Sequence, residues 1–130
     1  MGVAMIEALS SKVEGDYLMI VASGKIVSND EYRLLFKRYC DEIVQSGLKK
    51  IIIDETNVDY ALSLLLQMDI VEYYSSGELP EEFSIWKIAC VGREDMSAYS
   101  DFWADAAQRS GYDHQGFSSI ESAREFLANE

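Results

Sequence analysis

With 130 residues, 48% of them hydrophobic, and a single proline, the chain has the size and composition of one domain that buries its own core. A formal net charge of −12 repels phosphate backbones and anionic lipid surfaces, which argues against nucleic-acid binding and polybasic membrane docking. No segment reaches the roughly 18 consecutive apolar residues of a membrane span.

The N-terminal stretch MGVAMIEALSSK lacks a basic region ahead of a pure apolar run, so no secretory leader is expected. Ile6 stands where a myristoylation motif needs Ser or Thr. A cytoplasmic location is the expectation.

Residues 11–13 and 17–21 read as two strands flanking a Glu14-Gly15-Asp16 turn, with Ser23-Gly24-Lys25 breaking the pattern. A helix follows. Ser28 with Glu31 three residues on makes a capping box, and Gly47 supplies the stop. Between them Tyr32, Leu35, Phe36, Tyr39 and Ile43 recur at helical spacing as one apolar face. Residues 49–54, with Ile51, Ile52 and Ile53, have the β-branched run of a strand buried on both faces.

Asp59 is placed to cap a second helix running to Tyr74, and 75–80 is a loop by composition. Residues 86–92 form another interior strand. A third helix turns Tyr99, Phe102, Trp103 and Ala106 inward, and 114–117 is a short last strand. Ser118 with Glu121 caps a fourth helix with Ile120, Ala123, Phe126 and Leu127 inward. The predicted order is β-β-α-β-α-β-α-β-α. It describes a single α/β domain over residues 1–130, with a mostly parallel sheet of about five strands and four helices. Cys40 and Cys90 fall in a helical and a strand pattern and read as small buried hydrophobes in a reducing compartment.

Several of these segments carry a family resemblance. They are Ser23-Gly24-Lys25-Ile26 leading into a Ser-capped helix, Ile51-Ile52-Ile53-Asp54, and Ile88-Ala89-Cys90-Val91. The closing run holds Asp101-Phe102-Trp103, Arg109-Ser110-Gly111-Tyr112 and Phe117-Ser118-Ser119-Ile120-Glu121-Ser122-Ala123. Over nearly its whole length the chain resembles the STAS-like proteins. These are small SpoIIAA-like relatives of the bacterial anti-anti-sigma factors and of the cytosolic domain of sulfate transporters.

The resemblance implies strands that follow one another in sequence and helices packed largely on one side of the sheet. It also implies a non-catalytic role, binding a protein partner or a small anionic ligand. Regulated members place a phosphorylatable serine in an Asp-Ser-Ser-Gly-like motif after the central strand. Here 54–63 reads Asp-Glu-Thr-Asn-Val-Asp-Tyr-Ala-Leu-Ser. The motif is absent, and Thr56 and Ser63 are the candidate phosphoacceptors nearest its place.

Nucleophilic catalysis needs an oriented base beside a Ser or Cys. The sole histidine, His114, has no G-x-S-x-G elbow or cysteine signature with it and reads as a partly exposed structural residue. One His and two scattered Cys do not make a zinc site. Asp54, Glu55 and Asp59 offer oxygen ligands to a hard cation, but without EF-hand spacing they read as a solvated loop with a capping Asp. No catalytic residue, metal or cofactor is therefore expected. Gly92 and Arg93 occupy a strand-to-helix loop suited to an anion. The candidate ligand-binding set is Asp54, Glu55, Thr56, Asn57, Gly92 and Arg93.

The second predicted helix has two opposed apolar stripes. One is Ala61, Leu64, Met68 and Val71, and the other Leu62, Leu66, Ile70 and Tyr73. A helix on a sheet needs one stripe, so the second is the candidate interface of a homodimer. The functional expectation is a non-enzymatic regulatory module acting through protein contacts, with self or another chain as partner. The alternative is a carrier of a small apolar or lipid-like ligand, its pocket near Tyr73, Tyr74, Phe102 and Trp103.

Overall fold

The computed structural model describes residues 6–60, 81–93 and 97–129. β1 (Ile6–Glu14) and β2 (Tyr17–Ile26) form an antiparallel hairpin in which Glu14 lies opposite Tyr17. Gly15 takes a φ of 60°, the positive angle that the first residue of a tight two-residue hairpin turn requires. β2 does not stop at Ser23-Gly24-Lys25, as the composition suggests. It runs on to Ile26, with Gly24 at φ 141°. Pairing to the neighbouring strand holds a stretch whose local propensity is weak.

α1 (Asn29–Ser46) has the predicted caps. Ser28 Oγ accepts the Glu31 N–H at 3.2 Å, and the Glu31 carboxylate accepts the Val27 N–H at 2.7 Å. At the other end Gly47 adopts φ 71° and its N–H donates to the carbonyls of Ile43 and Val44, closing the helix in the left-handed conformation glycine favours. Tyr32, Leu35, Phe36, Tyr39 and Ile43 are all buried, and Cys40 with them.

β3 (Lys50–Tyr60) is eleven residues long. Asp59, read from sequence as a helix cap, is a strand residue paired with Lys25 of β2. The predicted second helix, with both of its stripes and Ser63, lies outside the described residues. A 3₁₀ turn over Glu81–Ile85 drives Phe83 inward. β4 (Lys87–Val91), α2 (Ser97–Arg109), β5 (Asp113–Phe117) and α3 (Ile120–Ala128) follow. Three α-helices therefore stand among the described residues where four were expected over the whole chain. The cap of α3 is Ser119 rather than Ser118, its Oγ accepting the Ser122 N–H at 3.1 Å.

The sheet order is β1-β2-β3-β4-β5, with β2 to β5 mutually parallel. Ile51, Ile52 and Ile53 are 0%, 0% and 1% exposed, so the central strand is covered on both faces. Alternation divides them. Ile51 and Ile53 join Leu18, Ile20 and Ile88 under α1, α2 and Phe83, whereas Ile52 joins Met19, Ala89 and Val91 under Ala123 and Leu127 of α3. Among the described residues, helices thus cover both faces, two on the first and one on the second.

Candidate functional site

The carboxyl half of β3 is irregular. Between the pairs Val21–Asp54 and Ser23–Asn57, β2 advances by two residues (21 to 23) and β3 by three (54 to 57). One extra residue is accommodated as a bulge. Asp54 pins it, since one of its carboxylate oxygens accepts the Thr56 N–H at 3.0 Å and the Thr56 hydroxyl at 2.7 Å. The bulge resets the alternation. Glu55 faces the same side as Ile51 and Ile53, and beyond it Val58 and Tyr60 return to that side. The stretch read as a solvated loop is therefore a structured strand. Asp54 and Glu55, as neighbours along it, point to opposite faces.

Glu55 is only 9% exposed. Its Oε2 accepts the hydroxyl of Tyr39 from α1 at 2.5 Å and that of Tyr60 at 2.8 Å, and its Oε1 accepts the Cys90 thiol of β4 at 3.5 Å. Burial pushes the Glu55 carboxyl above the usual carboxylate range, although the three donors favour the ionised form. Burial, and then the adjacent Glu55, holds Tyr39, Tyr60 and Cys90 well above their ordinary values. Cys40 is pushed up to about 12, again by burial first. Neither thiol is a nucleophile in the closed structure.

Gly92 and Arg93 leave the end of β4. The Gly92 N–H donates to the carbonyl of Phe117 at 3.1 Å, and Arg93 pairs with Asp59 at 2.6 Å. Asp54 pairs with Val91, the residue before Gly92 and Arg93, so the candidate ligand residues are neighbours along the backbone, but Asp54 and Glu55 face opposite sides of the sheet. Contacts within the chain account for Asp54, Glu55, Thr56, Gly92 and Arg93. Among the described residues, no group of three His, Cys, Asp or Glu side chains is placed to hold a metal ion.

His114 is fully buried, not partly exposed. Register explains it: β5 sets His114 beside Ile88, on the face that α2 covers. Its ring stacks on Trp103 at 5.0 Å and on Tyr112 at 5.7 Å, and it meets Phe83 nearly perpendicularly at 4.8 Å. Among the described residues neither ring nitrogen has a hydrogen-bond partner. Burial lowers its pKa to about 3, so the imidazole is neutral near pH 7 and a poor proton acceptor there.

Sequence reasoning missed Phe83, which touches Phe36, Trp86, Tyr112 and His114. A lone aromatic in a five-residue turn gives no periodic signal. The partnership of Tyr39 and Tyr60 with Glu55 was missed as well, because the bulge hides their shared face.

No family model matches the chain, and no curated protein does. Solved structures match it over nearly the full length. An anti-sigma factor antagonist from Mycobacterium paratuberculosis shares 11% identity with a TM-score of 0.59, 94% of each chain being covered. An uncharacterised DUF3478-family protein with a SpoIIAA-like fold, from Shewanella loihica PV-4, shares 19% identity with a TM-score of 0.54, 98% of each chain being covered. These likenesses establish the fold, and it is the STAS-like one.

Proposed function

We propose that this SpoIIAA-like fold serves as a non-enzymatic regulatory module that acts by contacting another protein chain. The observation that carries the reading is the match over 94% of both chains to an anti-sigma factor antagonist. Glu55, Thr56 and Arg93 engage Tyr39, Asp54 and Asp59, so these polar groups tie elements of the described fold to one another. Thr56 in this reading stabilises the bulge, because its hydroxyl already donates to Asp54.

The contact surface proposed is the Leu62, Leu66, Ile70 and Tyr73 stripe, on sequence grounds, with a second copy of the chain as one partner. Native mass spectrometry of the chain purified from its own cells tests the reading. A stoichiometric complex with a protein, rebuilt afterwards from purified components and lost in Leu66→Glu, is the expected result. A monomer that retains a small apolar molecule would instead make the chain a carrier.

A further inference from the structure

We propose that the open edge of β1 pairs antiparallel with β1 of a second copy of the chain, joining two sheets into one around a two-fold axis at Ser11. β1 is an edge strand, and among the described residues nothing bonds to its outer backbone. The hairpin decides which groups that edge offers. Its tight turn makes Glu14 and Tyr17 a hydrogen-bonded pair, so Lys12, Ser10 and Ala8 also bond inward to β2. The N–H and C=O of Leu9, Ser11 and Val13 therefore point outward. The irregularity between Ile6 and Ala8 ends this regular run. The opposite edge is better defended, since β5 has five residues and Gln108 Nε2 donates to the His114 carbonyl at 2.7 Å. The stretch between Tyr60 and Glu81 leaves from β3 and rejoins at the turn whose Phe83 meets Tyr112, so both its ends lie inward of β1.

The occupant is a second copy because the strand is complementary to itself. Outward backbone groups must meet outward groups, so odd-numbered residues pair with odd-numbered ones. Centring the pairing on Ser11 is the arrangement that uses the whole regular run from Ala8 to Glu14. Ser11 then exchanges both backbone bonds with Ser11 of the second copy, and Leu9 does the same with Val13. Cross-strand neighbours share a face, so Leu9 and Val13 lie with Ala22 and Leu18 on the α1 side. Val13 is 61% exposed, and the pairing sets it beside the partly buried Leu9 of the second copy. On the other face Lys12 meets Ser10 and Glu14 meets Ala8, so no like charges stand directly opposite. Charge selects the same edge. The chain carries −12 overall, but from Ala8 to Glu14 it holds one cation and one anion, Lys12 and Glu14, bridged at 2.9 Å. Two acidic copies approach with least repulsion along such a neutral strip, and a charged peptide gains nothing from it. On the face away from α1, α3 packs over β3, β4 and β5, which leaves the seam clear of it. This interface is separate from the Leu62 stripe, and neither depends on the other.

Sedimentation equilibrium at about 0.15 M salt, where exposed charges are screened beyond about 8 Å, tests the seam. The wild type at high micromolar concentration is expected to approach twice the 14.7 kDa of one chain. Ser11→Pro removes an N–H that points outward, a change an edge strand tolerates. Val13→Glu places a carboxylate against Leu9 of the second copy, at a side chain already in water. Both variants are expected to keep the wild-type circular dichroism and to sediment as monomers, whereas Leu66→Glu is expected to leave this dimer intact. Should Ser11→Pro fail to fold, Val13→Glu carries the test alone. The register is read by oxidising a mixture of Ser10→Cys and Lys12→Cys chains. Those positions lie opposite each other in the pairing, so the mixed disulfide is expected to form several-fold faster than either like-with-like one. A wild-type monomer overturns the proposal, as does a dimer that survives Val13→Glu or one that Leu66→Glu alone abolishes. Equal rates for all three disulfides overturn the pairing centred on Ser11.

Discussion

Trp103 lies against His114 with ring centroids 5.0 Å apart and planes inclined by 19°. This stack joins α2 to β5. With Tyr112 and Phe83 it encloses the only histidine in the chain in aromatic carbon. Face-on stacking suits a neutral imidazole, and Phe83 meets it nearly perpendicularly at 4.8 Å, an edge-to-face arrangement that aromatic rings favour. The same enclosure leaves a proton on His114 with nothing to solvate it.

That environment makes His114 a source of acid sensitivity. Its pKa is about 3 in the fold against 6.5 ordinarily, so the unfolded chain takes up a proton first as pH falls. The stability it contributes is complete above pH 6.5 and is lost progressively between 6.5 and about 3. The slope approaches about 1.4 kcal/mol per pH unit. His114→Phe keeps the aromatic packing and removes the titration. Urea unfolding of both proteins at a series of pH values should show this slope in the wild type and lose it in the variant. Parallel curves over that range would place the imidazole in contact with water.

Much of the fold was legible because its signals are local. Ser28 and Gly47 marked both ends of α1, and the spacing of Tyr32, Leu35, Phe36, Tyr39 and Ile43 marked its buried face. Ile51 to Ile53 marked the central strand. What was not legible depends on pairing. Asp54-Glu55-Thr56-Asn57 looks like a loop by composition, and only the register against β2 shows a bulge that returns Val58 and Tyr60 to the core face. Asp59 looked like a cap for the same reason. His114 looked exposed because its neighbours Asp113 and Gln115 are exposed, and a two-residue alternation in a five-residue strand is too short to read.

The two faces of the sheet make a second prediction. Ile52 is fully buried under α3, whereas Val21 is 36% exposed. Ile52→Ala leaves a cavity between sheet and helix and should cost about 2–5 kcal/mol. Val21→Ala should stay within about 0.5 kcal/mol of the wild type. Denaturant midpoints at constant m-value make the comparison. A small loss at Ile52 would mean that α3 packs more loosely than its buried Ala123 and Leu127 indicate.

Gly47 offers a test of backbone conformation alone. Its φ is 71°, and a Cβ built there meets nothing within 4 Å. Gly47→Ala therefore adds no clash and should cost about 1 kcal/mol, the left-handed penalty of an L-residue. Thermal unfolding of the pair measures it, with Ser28→Ala as a companion at the other end of α1. That change removes the acceptor of the Glu31 N–H and should also cost about 1 kcal/mol. No loss at Gly47 would mean that the chain leaves α1 by another route.

Glu55 should give stability a pH slope opposite in sign to that of His114. Its carboxyl titrates above the ordinary 4.5 in the fold, so at intermediate pH the folded chain holds a proton that the unfolded chain has released. The stability linked to that proton is complete below 4.5 and is lost as pH rises through the folded value. His114 weakens the fold as pH falls below 6.5 and Glu55 as pH rises above 4.5, so the two slopes oppose each other where the windows overlap. Glu55→Gln keeps an acceptor oxygen for the hydroxyls of Tyr39 and Tyr60 and carries no charge to bury. It should therefore match or exceed the wild type near neutral pH and flatten the alkaline limb, leaving the acid limb in place. Combined with His114→Phe, whose ring lies in the separate Trp103 and Tyr112 stack, it should flatten both limbs additively. Chemical denaturation of the four proteins across the pH range decides it. A Glu55→Gln chain much less stable than the wild type at neutral pH would mean that the ionised carboxyl, held by its phenols, is the form the fold prefers.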